Sequence, residues 1–317
     1  MTYAPATQPT FYFIGVTTGK SSIMQVFPAW ADHLGLKGAV IKGMDFPLHA
    51  PASAYRAAVQ FIKADPLSLG ALVTTHKIDL FKACRDLFEV IDPHARLMEE
   101  VSCISKRDGN LVCHAKDPIS SGLALDAFLP VDHFARTGAD VFSMGAGGST
   151  IALIWHLMQK SRGGNVPRGI IVSDRSQARL DEIARIHSEI PSTAQLEYVL
   201  AATPQINDDI VSRLKPGSLV INATGLGKDA PGSPLTDDAR FPKDGIAWEL
   251  NYRGDLVFLD QARRQQKQSN LLIENGWAYF IYGWTLVIAE VFQVKIAQRG
   301  PSFEAISKIA NDIARRS

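Results

Sequence analysis

The segment ALVTTHKIDL, residues 71–80, runs from apolar residues through two threonines into His76 and Lys77. Lysine is among the residues least often fully buried. A strand that delivers one at its end therefore presents a charge for use. A second segment, VFSMGAGGSTIALIWHLM, sets Gly145, Gly147 and Gly148 between an apolar strand and an apolar helix. Glycine there permits a tight turn and lets the backbone N–H groups of Gly145, Ala146, Gly147, Gly148 and Ser149 approach a pyrophosphate with no Cβ in the way. The helix N-terminus adds its dipole and free donors. Thr150 stands where the third glycine of G-x-G-x-x-G would fall. The next strand, GIIVSD, ends at Asp174, whose carboxylate can accept from adenosine ribose hydroxyls and so favours NAD. Arg175 and Arg179 follow, and arginine can grip a 2′-phosphate, which makes NADP the alternative. Asp174 and Ser176 also precede a helix, where an N-cap is the structural role for such residues.

His76, His114 and Cys113 lie in the same stretches as these residues. Zinc needs spacing such as HxxxH or paired CxxC, which is absent, so no metal is expected. His76 could shape a pocket or relay a proton beside Lys77, or be a structural histidine. The aromatic run Trp277, Tyr279, Phe280, Tyr282 and Trp284 reads mainly as packing between a helix and a domain.

The elements that would carry these residues alternate. TFYFIGV (10–16), GAVIKGMD (38–45) and GALVTT (70–75) read as strands. SSIMQVFPAWADHLGL (21–36), SAYRAAVQFIKA (53–64) and IDLFKACRDLF (78–88) read as helices. This βαβαβ order implies parallel strands with helical crossovers. VSCISKRDGNLVCH (101–114) reads as a hairpin turning at Asp108-Gly109, and a helix (120–129) leads away from it. A second alternation runs from ADVFSM (139–144) through strands at 169–174, 196–200, 218–224 and 245–251, with helices at 149–160, 176–187 and 206–214. That is a doubly wound, dinucleotide-binding pattern. Helices at 256–266, 277–292 and 302–316 close the chain. The expected fold is α/β with two domains: a substrate domain over 1–125, completed by returning C-terminal helices over 276–317, and a Rossmann-type dinucleotide-binding domain over 126–275.

The chain has 317 residues, 46% hydrophobic and 21% charged, which is ordinary globular composition and long enough for two cores. Lys+Arg number 33 against Asp+Glu 32, a net charge of +1. That balance favours neither nucleic acid nor an anionic membrane. Three cysteines without paired spacing fit a reducing, cytoplasmic compartment. The N-terminus reads as no signal peptide. The longest apolar run, 277–292, contains Glu290 and falls short of the roughly 20 residues of a membrane span.

Taken in order, several blocks resemble the shikimate/quinate dehydrogenase family over most of the chain. GVTTGKSSIMQVFPAWADHLGL (15–36) resembles its substrate-carboxylate segment and the helix after it. GALVTTHK (70–77) is similar to G-x-N-V-T-x-P-x-K, and DGNLVCHAKD (108–117) to a block ending G-x-N-T-D. GAGGST (145–150) matches the GAGG loop, VINATGLG (220–227) resembles I-N-A-T-x-x-G, and WELNYRG (248–254) resembles the D-x-x-Y-x-P segment facing the nicotinamide. The resemblance implies an NAD(P)-dependent oxidoreductase moving hydride between nicotinamide and a ring hydroxyl or ketone of a cyclic hydroxy-acid. It implies Lys77 and Asp117 as the catalytic pair, flanking a crevice between the domains. On its own, Lys77 reads as a helix-start lysine and Asp117, before Pro118, as an N-cap. The substrate-facing positions become Ser21, Ile23, Thr74, Ser102, Tyr252, Tyr279 and Gly283. Asn222, Ala223, Thr224, Gly225 and Leu250 join the glycine loop, Asp174 and Arg175 on the cofactor side. A small-molecule substrate is the expected partner, and a homodimer is compatible with the reading.

The departures from the family pattern fall on the substrate side. Ser21 keeps the first carboxylate-binding serine, while the second falls on Ile23. The asparagine before V-T becomes Leu72, and that block is one residue short, lacking its proline. Ser102 stands where an asparagine holds substrate hydroxyls, Ala115 and Lys116 replace N-T, and the substrate glutamine falls near Gly283. Glu249 replaces an aspartate, and Tyr252 is kept. A site that bonds substrate hydroxyls rejects analogues by leaving its own groups unpaired. Ile23 and Leu72 therefore imply a less hydroxylated or bulkier ligand than shikimate, with Lys20 or Lys116 as substitute carboxylate contacts. Two rivals remain: a dinucleotide- or ligand-binding protein without efficient catalysis, and a nucleotide-fold transferase such as a methyltransferase.

Overall fold

A computed structural model describes residues 3–228 and 230–315. The chain divides into two compact units, Met1–Lys116 with Ile281–Ser317, and Asp117–Phe280. The first unit contains β1 (Thr10–Gly15), α1 (Ile23–His33), β2 (Val40–Asp45), α2 (Ala52–Ala64), β3 (Ser68–Val73), α3 (Lys77–Cys84), β4 (Val90–Ile91), α4 (Pro93–Met98), β5 (Cys103–Arg107) and β6 (Asn110–His114). Its sheet has the order β2-β1-β3-β5-β6-β4. β1 pairs parallel with β2 and β3, while the β5–β6 hairpin joins antiparallel beside β3.

β1 shows why the strand forms. Its residues alternate between two buried faces, as a central strand requires. Tyr12 and Ile14 enter a cluster with Phe46, Tyr55, Val59 and Ile62. Phe11 and Phe13 face the other way, Phe11 5.7 Å from Phe27 and Phe13 4.9 Å from Trp284, ring to ring.

The second unit holds α5 (Asp117–Phe128), α6 (His133–Thr137), β7 (Val141–Met144), α7 (Gly148–Leu157), β8 (Gly169–Asp174), α8 (Gln177–Ser188), β9 (Gln195–Leu200), α9 (Pro204–Ser212), β10 (Leu219–Asn222), β11 (Ile246–Glu249), α10 (Val257–Ser269) and β12 (Leu272–Glu274). The chain closes with α11 (Trp277–Phe292) and α12 (Pro301–Ala314). The second sheet is parallel throughout in the order β12-β11-β10-β7-β8-β9. This is the doubly wound arrangement expected from the alternation. Its order reverses at β7, whose C-terminal end feeds the glycine loop.

The return of the closing helices to the first unit is also present. Trp284 packs on Phe13, and the Trp30 indole N–H donates to the Ile306 carbonyl at 2.9 Å. Among the described residues, no helix is long and apolar enough to cross a membrane.

Several boundaries differ from the sequence reading. α1 begins at Ile23 rather than near 21, because a 3₁₀ turn over Thr18–Lys20 precedes it. β3 ends at Val73 rather than at Thr75, and Lys77 itself opens α3. α4 is additional. Asp92 caps it by accepting from the Ala95 N–H at 2.7 Å, with Pro93 in the first turn.

Candidate active site

In the first unit the candidate residues gather at the C-terminal ends of the parallel strands. Gly15 closes β1. A Cβ added there would come within 3.1 Å of Thr74 Oγ1 and of Thr18 Cγ2. Thr74 and the loop leading to Ser21 therefore sit together. That loop is anchored by the Thr18 N–H, which donates to Asp45 Oδ1 at 2.8 Å. Ser102 is adjacent: the Val73 N–H donates to its carbonyl at 2.9 Å, and its hydroxyl accepts from the Lys116 N–H at 2.7 Å.

Ile23 and Leu72 are both buried, at 0% and 6% exposure. Ile23 belongs to the packed face of α1 and offers no open wall to a ligand. Lys116 is also committed elsewhere. Its Nζ donates to Glu290 Oε2 at 2.7 Å, and Arg107 joins the same carboxylate at 2.5 Å. Burial raises the Glu290 pKa, but Lys116, His114 and Arg107 more than offset this and hold it lowered. The suggestion that Lys116 takes a substrate carboxylate is therefore corrected. Gly283, midway along α11, is half-buried, yet a Cβ added there would meet nothing within 4 Å.

Lys77 follows an unusual turn. The His76 N–H bonds back to the Thr74 carbonyl, and Thr75 between them has φ +56. A β-branched residue in the left-handed region is rare and strained. The turn is held from inside by His76, which is buried with Nδ1 2.9 Å from the Tyr55 hydroxyl. Burial lowers the His76 pKa, so the ring stays neutral near pH 7. His76 is an anchor of the Lys77 turn, with its ring among Phe46 and Tyr55.

The second unit carries the glycine loop. Gly145 has φ +101, and a Cβ there would lie 2.8 Å from the Ala223 carbonyl, so only glycine fits. Around Gly147 a Cβ would meet nothing, and no side chain caps α7 at this position. The open, uncapped helix start suits a phosphate. Thr150, at the missing third glycine, bonds from its hydroxyl to the Gly145 carbonyl and lies 3.0 Å from the Ser143 hydroxyl. It locks the turn from beneath.

Asp174 spends both oxygens on backbone, accepting from the Ala146 N–H and the Ser176 N–H at 2.8 Å each. Ser176, not Asp174, caps α8. Arg175 is exposed, and Arg179 pairs with Glu182 at 3.1 Å.

The ends of β10 and β11 form a polar knot that the sequence reading had not assembled. Asn222 accepts from the Thr224 N–H and hydroxyl at 3.1 and 2.7 Å, and donates to Glu249 Oε2 at 2.5 Å. Glu249 Oε1 accepts from the Asn251 backbone and side-chain N–H groups at 2.8 and 2.6 Å. Glu249 is wholly buried, and burial pushes its pKa up to about 7. The available signal was a carboxylate and two asparagines at neighbouring strand ends. Ala223 and Leu250 are fixed by strand-like bonds to Met144 and Asn222 at 2.8 and 3.0 Å, and Gly225 turns the loop at φ +79. Tyr252 packs against the stacked pair Trp277 and Phe280, with ring centres 5.2 and 4.8 Å away.

Asp117 opens α5 and is buried. The Tyr279 hydroxyl donates to Asp117 Oδ2 at 3.1 Å and lies 3.5 Å from Ser149 Oγ on the glycine-loop helix. A carboxylate is thus held at the start of the helix that the glycine loop feeds. Among the described residues, no group of three His, Cys, Asp or Glu could hold a metal.

These features define a two-domain α/β protein with a dinucleotide-type glycine loop and a buried carboxylate beside it. No family model matches the chain. The shikimate dehydrogenase (NADP(+)) of Streptococcus thermophilus is 26% identical over 193 residues, 61% of this chain and 62% of that protein. The chain thus matches less than two-thirds of that relative's length. The structure of shikimate dehydrogenase from Aquifex aeolicus superposes with a TM-score of 0.71 at 16% identity, covering 99% of this chain and 100% of the other. Quinate dehydrogenase from Corynebacterium glutamicum, in complex with NAD, gives 0.71 at 17% identity, covering 96% and 99%. The chain is shikimate dehydrogenase-like in sequence and in fold.

Proposed function

We propose that this protein is an NAD(P)-dependent dehydrogenase of the shikimate/quinate type, acting on a ring hydroxyl or ketone of a cyclic hydroxy-acid other than shikimate as its best substrate. The observation that carries the reading is the Asp117 carboxylate, buried and held by Tyr279 within reach of Ser149 at the start of the glycine-loop helix. The retained family blocks ending at Lys77 and Asp117 support it. So does the kinship with proteins named shikimate dehydrogenase (NADP(+)) and with a quinate dehydrogenase bound to NAD.

A bound nicotinamide supplies the hydride acceptor or donor. The residues to hold the dinucleotide are the loop Gly145–Ser149, Asp174 and Arg175, and the strand-end segments Asn222–Gly225 and Leu250. Asp117 accepts a hydrogen bond from the substrate hydroxyl and orients it. Lys77 takes the hydroxyl proton during oxidation and returns it during reduction. Ser21, Thr74 and Ser102 offer the first unit's hydroxyls to the acid. The room over Gly283 and the apolar Leu72 support a less hydroxylated or bulkier ring than shikimate. The Asp174 carboxylate favours NAD, and the exposed Arg175 keeps NADP as the alternative.

The test is a panel of cyclic hydroxy-acids with NAD and with NADP, followed at the reduced-nicotinamide absorbance. Turnover that falls about a hundredfold or more in Lys77→Met, with dinucleotide affinity retained, supports the reading. Tight dinucleotide binding without turnover on any acid would replace it with a binding protein of the same fold.

A further inference from the structure

Three helix starts converge within the second unit: Asp117 opens α5, Ser149 lies in the first turn of α7 and Tyr279 in the first turn of α11. The Tyr279 hydroxyl sits between the other two, 3.1 Å from Asp117 Oδ2 and 3.5 Å from Ser149 Oγ. A phenol carries one proton, and a carboxylate is the stronger acceptor. The proton therefore goes to Asp117 at 3.1 Å, and Ser149 Oγ, at 3.5 Å, is the longer, competing acceptor of the same hydroxyl. The tyrosine ring is itself fixed. It meets Trp248 edge-on with ring centres 6.4 Å apart, and Trp248, 1% exposed, meets Phe128 of α5 edge-on at 5.1 Å. The buried indole thus bounds one side of the half-buried tyrosine ring.

We infer that Tyr279 is a positioning residue, whose hydroxyl sets the plane of the Asp117 carboxylate and ties it to Ser149 on the glycine-loop helix. The inference rests on the proposed role of Asp117 and reassigns Tyr279 from substrate contact to carboxylate support. A carboxylate turns about two side-chain bonds, and only some of those orientations present a lone pair to a substrate hydroxyl. Engaging Oδ2 removes that freedom before substrate arrives, so the orienting cost is not met in each turnover. The connection to Ser149 also makes the carboxylate sensitive to whatever occupies the glycine loop. A group that draws the Ser149 hydroxyl away leaves the Tyr279 proton to Asp117 alone.

Tyr279→Phe keeps the ring and its contact with Trp248 and deletes only the hydroxyl. A hydrogen bond to a charged group is worth enough to predict a fall in kcat of about tenfold or more. The acid's KM, the NAD(P)H dissociation constant and the thermal midpoint should stay within about twofold or a few degrees, because the residue acts on the reaction through Asp117. In an Asp117→Asn background the same substitution should add less than about twofold, since the group it orients has changed. An unchanged kcat in Tyr279→Phe overturns the inference, as does a tenfold loss that persists undiminished in the Asp117→Asn background. Failure of the functional reading looks different: the wild-type protein would neither quench NAD(P)H fluorescence nor oxidise any acid of the panel. That result removes the inference with it.

Discussion

Glycines 145 and 283 show how differently the same residue type can be required. Gly145 is obligatory by geometry, since its φ of +101 and the nearby Ala223 carbonyl exclude a side chain. Gly283 has no such reason. It lies inside a regular helix, and a methyl there would meet nothing within 4 Å. A glycine in a helix interior costs about 1 kcal/mol relative to alanine. Gly283→Ala should therefore raise the unfolding midpoint by about 2 °C. If the open space receives the substrate, the same change should lower kcat/KM for bulky acids more than for small ones. Thermal melts and steady-state kinetics on one preparation check both halves.

Arg175 supplies a second test at this scale. It is exposed at the end of β8, while Asp174 beside it is fixed by two backbone N–H groups. Arg175→Ala should weaken NADP and leave NAD almost unaffected, because only NADP offers a phosphate to a guanidinium. Equal losses for both dinucleotides would remove Arg175 from the cofactor site.

At the scale of elements, the turn from β3 to α3 is where local sequence and fold disagree. Thr75 adopts a left-handed conformation that asparagine tolerates better, at a saving of about 1 kcal/mol. Thr75→Asn should raise the urea midpoint without lowering kcat. Thr75→Pro, which fixes φ near −65°, should lose both stability and activity. The long strands and helices were legible as apolar runs of contrasting length: β1 is a short run buried throughout, and α11 is a 16-residue run broken mainly by Thr285 and Glu290. β4, α6 and β12 were not, since two to five residues carry no period. The glycine loop was legible because turn chemistry is local. The bond from Tyr279 to Asp117 was not, because the two are 162 residues apart and nothing in either segment names its partner. Lys116 misled for the same reason: its partner Glu290 lies 174 residues away.

For the molecule as a whole, two buried titrating groups in the second unit oppose each other. His187 is buried with Nδ1 3.0 Å from the Tyr198 hydroxyl, and burial holds its pKa down at about 4 against 6.5. The unfolded chain protonates this histidine first, so its contribution is complete above pH 6.5 and is lost as pH falls towards 4. The loss is worth about 3 kcal/mol. Glu249 runs the other way. Burial raises it to about 7 from 4.5, so the folded state keeps its proton longer and stability is lost as pH rises through that window. That loss is again about 3 kcal/mol. The two slopes cancel between pH 4.5 and 6.5, so these two groups together leave stability nearly flat there. Glu249→Gln removes one slope. Its urea stability should be lower throughout, because the amide turns a donor towards Asn222. It should also climb by about 2 to 3 kcal/mol between pH 4.5 and 6.5 through His187, with His76, lowered by burial too, adding in the same direction. A variant that climbs no more steeply than the wild type would mean that Glu249 does not titrate in that range. The knot at the ends of β10 and β11 would then hold a permanent carboxylate, with its three donors satisfied at every pH in the window.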